Sequence, residues 1–285
     1  MRHRIKKING RRVPALLVLI TLLSLFLTGC KKLELTSKWR DGLVAIDGEN
    51  HEWGGVTTYL EENNAAVGLL NDEEYLYVSL LTTNRMLQNQ IMRAGFTLWF
   101  DPEGGKDKTF GIRFPLGMNS GGMDPGGMGF GGRGGFNQPN FDSLQEVFTE
   151  SQTELEILGP GQDQVRRLPV GDIEDVFVAA SISSKGLIYE LRIPLSSGEG
   201  QPYAIGTSIG EVIGIGLETP EIDRSMMGGK RPGGRGGGMG GGGMRGGAPG
   251  GGRRPEMPKP LNVWAKVQLA ANSTGDTENH EIVEK

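Results

Sequence analysis

Apolar and polar residues alternate along this chain in short runs, bounded by Gly, Asn, Asp and Pro. Between Glu74 and Leu80, the residues Leu76, Val78 and Leu80 share one face while Tyr75, Tyr77 and Ser79 share the other, the period of two that marks a half-buried strand. Tyr189, Leu191 and Ile193 part in the same way from Ile188, Glu190 and Arg192. Segments of this kind predict strands at 43–46, 65–70, 75–81, 96–101, 110–114, 154–158, 176–182, 187–193, 211–217 and 263–269. Two stretches read as helices, 85–93 and 141–149, the second with Asp142 or Ser143 as a candidate cap. Many strands and few helices predict an all-β fold, a β-sandwich of roughly 180 ordered residues with a self-sufficient core.

The first thirty residues follow a different rule. Arg2, Arg4, Lys6, Lys7, Arg11 and Arg12 precede an apolar run from Val13 to Leu27, the charged and hydrophobic regions of an export signal. The run is short for a membrane span. It ends in Leu27-Thr28-Gly29-Cys30, which resembles the bacterial lipobox, and Cys30 is the chain's sole cysteine. The expectation is a signal peptide over 1–29, lipidation at Cys30, a tether over 30–38 and a membrane partner reached through that anchor. Lys31 follows the cysteine, which favours the outer membrane of a bacterial cell envelope over the inner.

Composition sharpens the picture. One cysteine excludes a disulfide framework and any zinc site built on cysteine. Glycine accounts for 48 of 285 residues, and 26 of those fall in two stretches, Gly117 to Gly135 and Gly228 to Gly252. The sandwich, spanning 39–270, is thus expected to be interrupted by low-complexity loops at 117–139 and 226–260, with a disordered polar tail at 271–285. Without the signal the chain carries 24 Lys+Arg against 34 Asp+Glu, whereas Met226 to Pro260 carries seven basic residues against Glu256 alone. A basic loop is grafted onto an acidic body.

Against this background a family resemblance emerges. Ile46-Asp47-Gly48 with Glu52-Trp53 resembles the opening of carbohydrate-binding module family 9 and its DOMON-like relatives. Asn71 to Val78, Phe96 to Pro102, Tyr189 to Leu195 and Ile213 to Glu218 resemble four further strands of those modules, in family order. The resemblance implies a β-sandwich that binds a glycan, without catalysis. Sugar-binding members clamp the terminal sugar between two tryptophans, so Trp39, Trp99 and Trp264 are the candidate ligand-binding residues. Trp53 reads instead as a core plug. Trp99 is out of phase with Phe96, Leu98 and Phe100 and is expected to point away from the core with Thr97 and Asp101.

Other chemistry is thinner. Asp101, Glu103 and Asp107 surround a glycine bend, an oxygen set that would suit calcium, although a plain hairpin turn accounts for the same residues. No other cofactor is implied. The sequence lacks Gly-x-Ser-x-Gly, His-Glu-x-x-His and Walker patterns, and the chain is expected not to be an enzyme. Met239 and Met244 lie in the second glycine-rich loop, where thioethers would suit a soft metal such as Cu(I). The same loops, rich in arginine and methionine, could contact lipopolysaccharide or an envelope protein. Nucleic acid is not an expected partner. Two functions therefore remain: a lipid-anchored glycan-binding protein, or a structural and interaction lipoprotein that works through its basic loops.

Overall fold

The computed structural model describes residues 32–118, 141–159, 164–198, 202–221 and 259–272. Cys30, Met239, Met244, most of both glycine-rich stretches and the tail beyond Asn272 lie outside the described residues. Thirteen strands among the described residues form two sheets. The first has seven strands in the order β1 (Leu33–Thr36), β13 (Asn262–Gln268), β12 (Val212–Glu218), β6 (Thr97–Asp101), β7 (Phe110–Arg113), β8 (Glu154–Leu158) and β9 (Val165–Pro169). The second runs β10 (Phe177–Ser183), β11 (Gly186–Pro194), β5 (Tyr75–Thr82), β4 (Ala65–Asn71) and β2 (Lys38–Trp39), with β3 (Thr57–Leu60) also on β4. Pairing is antiparallel wherever a register is defined, apart from β2 alongside β4.

The core lies between the sheets and is made by the alternating positions that the sequence marks. Leu98, Phe100, Ile112, Ile213, Ile215 and Leu217 come from one sheet, and Leu76, Val78, Leu80, Tyr189, Leu191 and Ile193 from the other, all buried. Phe96 meets Tyr189 edge to face at 4.9 Å, a contact worth about 0.5–1.5 kcal/mol beyond the area it buries. Helix α1 (Arg85–Ala94) carries the chain from β5 in one sheet to β6 in the other. The Asn84 side chain accepts the Met86 N–H at its start, and Gly95, with φ of +88°, ends it. A second helix, α2 (Phe141–Glu150), precedes β8.

Four strands escape the sequence pattern. β1 and β2 fall within the expected tether at 30–38 and at the start of the sandwich, so pairing begins ahead of Trp39. β3 is short and mostly exposed, and β9 is an edge strand reading Val-Arg-Arg-Leu-Pro, with no buried face to impose alternation. The strand expected at 43–46 is absent, because that segment has no ladder partner. Val44 and Ile46 alternate for another reason: both pack against the buried cluster of Trp53, Leu70 and Tyr77 on the outer face of the second sheet.

Candidate functional site

Directly opposed residues of an antiparallel ladder share a face, and this rule assembles the site. Trp99 on β6 is paired with Gly111 on β7 and with Gly216 on β12, and Gly216 is paired with Trp264 on β13. Trp264, Gly216, Trp99 and Gly111 therefore form one row across the outer face of the seven-stranded sheet. Each indole lies over the glycine beside it. A methyl group built on Gly111 would come 2.7 Å from Trp99 Cε3, and one on Gly216 would come 2.7 Å from Trp264 Cε2. Glycine is required at both positions because a side chain would occupy the space of the ring. With strands about 4.8 Å apart, the two tryptophan backbones are separated by roughly 9.6 Å.

The neighbouring rows supply polar groups. Glu218 shares the face with Gly216, and its Oε2 accepts the Trp99 Nε1–H at 2.9 Å. The same oxygen meets Lys108 Nζ at 2.6 Å, and that ammonium stands 5.1 Å from the Trp99 ring centroid. Lys108 reaches this place because the turn between β6 and β7 folds back across the sheet. Asp101 holds the turn: one carboxylate oxygen accepts the Glu103 N–H at 3.0 Å and the other accepts the Asp107 N–H at 2.9 Å. Gly214 in β12 admits the returning Gly105 carbonyl, where a side chain would collide with it. The Asp101, Glu103 and Asp107 set thus builds a self-capped turn. These three carboxylates do not bring their oxygens together as metal ligands.

Among the described residues, one trio of carboxylates does converge, with Asp47, Glu52 and Glu190 offering ligand atoms within 4.8 Å of one another. Their oxygens would suit a hard cation in kind, but Glu190 already accepts three hydrogen bonds. Its Oε1 accepts the Trp53 Nε1–H at 2.6 Å, and its Oε2 accepts the backbone N–H groups of Gly48 at 2.7 Å and Asp47 at 3.0 Å. Burial pushes the Glu190 carboxyl above its ordinary value, and these three donors oppose that shift. The Glu52 Oε2 atom is buried without a hydrogen-bond partner.

The predicted tryptophans are thus sorted by the tertiary structure. Trp53 is 2% exposed and plugs the core cluster, as its sequence context implies. Trp99 points away from the core as expected, yet it is only 6% exposed, with its ring between Gly111 and the Lys108 side chain. Trp264 is partly exposed beside it. Trp39 does not join them. It belongs to β2 in the other sheet and lines a cavity of about 390 Å³ with Lys38, Arg40 and Glu52. Lys108, Glu218 and Glu190 are the participants that sequence reasoning missed. The alternation Gly214, Gly216, Glu218 was the available signal, because glycines on one strand face mark where a neighbouring ring or backbone lies down.

No family model matches the chain, and no curated protein matches it. Solved structures similar to it include a carbohydrate-binding module of family 9 from Caldicellulosiruptor kristjanssonii in complex with glucose. The two share 14% identity over 68% of this chain and 81% of the module, with a TM-score of 0.32. A family 9 module from the same organism in complex with cellotriose shares 12% identity over 88% of this chain and 99% of the module, with a TM-score of 0.34. The likeness transfers no residue role.

Proposed function

We propose that this protein is a non-catalytic glycan-binding module that receives a sugar on the outer face of its seven-stranded sheet, with Trp264 as the accessible stacking ring and Trp99 as its neighbour. The row Trp264–Gly216–Trp99–Gly111 carries this reading. Both indoles lie over glycines, and the partly exposed Trp264 offers an apolar ring of the kind that a pyranose stacks on with its hydrogen-bearing face. Glu218, Asn262 and Lys266 flank the row on the same face, offering acceptors and donors to hydroxyl groups. The export-like residues 1–29 and Cys30 support a second part of the proposal, that the module is lipid-anchored in the bacterial cell envelope, at the outer membrane.

The test is the melting temperature of the full chain, extracted in mild detergent, with and without millimolar oligosaccharides. A ligand at a hundred times its Kd stabilises by about 2.7 kcal/mol, a shift of several degrees. The expected result is a shift with one sugar class that disappears in Trp264→Ala. No shift with any sugar, or one that survives this substitution, overturns the site.

A further inference from the structure

We propose that Lys108 gates this face, a lid that occupies the sugar-stacking position over Trp99 and must swing away before a ring can take its place. The inference rests on the glycan reading above and names how the site is controlled. One side of the Trp99 indole lies against Gly111, so a ligand can stack only from the other side. The Lys108 ammonium is 5.1 Å from that ring's centroid, which is the stacking distance of a cation on an aromatic face.

Three contacts hold the lid in place. Asp101 caps the 102–107 turn and directs the chain back over the sheet. Glu218 Oε2 anchors the ammonium at 2.6 Å, and the same oxygen fixes the indole by accepting Trp99 Nε1–H. The Lys108 and Glu218 side chains retain 30% and 28% exposure, so water and salt reach the pair and weaken its attraction, though less than at a fully exposed pair. The lid is therefore weak enough to be displaced, yet it sets a threshold: a ligand enters only if its contact with the indole exceeds that of the ammonium.

The test compares the full chain with Lys108→Ala in two measurements. Acrylamide quenching is read in a Trp39→Phe, Trp264→Phe background, where Trp99 and the buried Trp53 remain. Removing the lid raises the quenching of Trp99, and unchanged quenching overturns the assignment of Lys108 as its cover. Glycan affinity is then read by calorimetry with glucose and cellotriose. Lys108→Ala tightens Kd by about three- to thirty-fold, the factor expected for one cation–π contact and one partly exposed ion pair. Added salt tightens binding to the native chain and leaves the variant unchanged. Binding that is equal or weaker in Lys108→Ala overturns the lid while sparing the glycan reading. An absence of binding by both forms overturns the glycan reading and the lid with it.

Discussion

The two outer faces of the sandwich use the same device to opposite ends. On the six-stranded sheet, the Trp53 ring lies over Gly68, where an added methyl group would come 2.5 Å from Cε3, and its Nε1–H is taken by Glu190. On the seven-stranded sheet, the Trp99 ring lies over Gly111 and its Nε1–H is taken by Glu218. The difference is what comes down on top. Over Trp53 the segment carrying Val44, Ile46 and Val56 packs as apolar cover, and Asp47 and Gly48 give their N–H groups to the same carboxylate. Glu190 is fully buried as a result. Over Trp99 the cover is the lysine side chain of a polar turn, and Glu218 stays partly in water. A tryptophan on a glycine is thus neither core nor site by itself; the chemistry of the covering segment decides.

The largest expected effect tests the closed face. Trp53→Ala removes a fully buried ring and strands Glu190 without one of its three donors, so unfolding in urea should show a loss of about 3–5 kcal/mol. A loss below about 1 kcal/mol would mean that the 40–56 segment does not close this face. Next comes Glu190→Gln, which keeps the shape but leaves buried N–H groups without an acceptor, at a cost of about 1–3 kcal/mol. Its pH dependence has a definite sign. Because the Glu190 carboxyl is raised from 4.5 by burial, the native chain holds that proton more tightly folded than unfolded. The associated stability is full below about 4.5 and is lost as pH rises through the raised value. The gap in melting temperature between the native chain and Glu190→Gln should narrow over that rise, and a widening gap would show that the three hydrogen bonds outweigh burial. The smallest effect belongs to the open face: Glu218→Gln should cost under about 1 kcal/mol, since its ion pair is partly in water. Equal losses for the two glutamine variants would erase the distinction between the faces.

The motifs that carry the family resemblance acquire a physical meaning here. Ile46-Asp47-Gly48 and Trp53 lie more than 130 residues before Tyr189-Glu190, yet all three form one latch through Glu190. The sequence shows each as a string with no sign that they touch, because a hydrogen bond between distant segments leaves no periodicity. The strand expected at 43–46 fails for a related reason. A loop laid on a sheet alternates buried and exposed side chains as a strand does, and Val44 and Ile46 satisfy that pattern without a ladder partner.

What the sequence determined on its own is the inner half of the protein. Strong alternation at Leu76, Val78 and Leu80, at Tyr189, Leu191 and Ile193, and at Leu98 and Phe100 dictates the strands and their core face, because apolar burial acts locally on every second residue. It also set the direction of Trp99, which follows from parity alone. Parity cannot say what covers an outward face, and that was left to the tertiary structure. Only the fold of the 102–107 turn on Asp101 brings Lys108 onto Trp99, only the ladder places Gly216 between Trp99 and Trp264, and only the parallel pairing of β2 with β4 sends Trp39 to the other sheet. The ladder contacts join residues far apart in the chain, the turn contact depends on how a loop folds back, and their geometry is set by register and by close approach at glycines, neither of which one strand's pattern can encode.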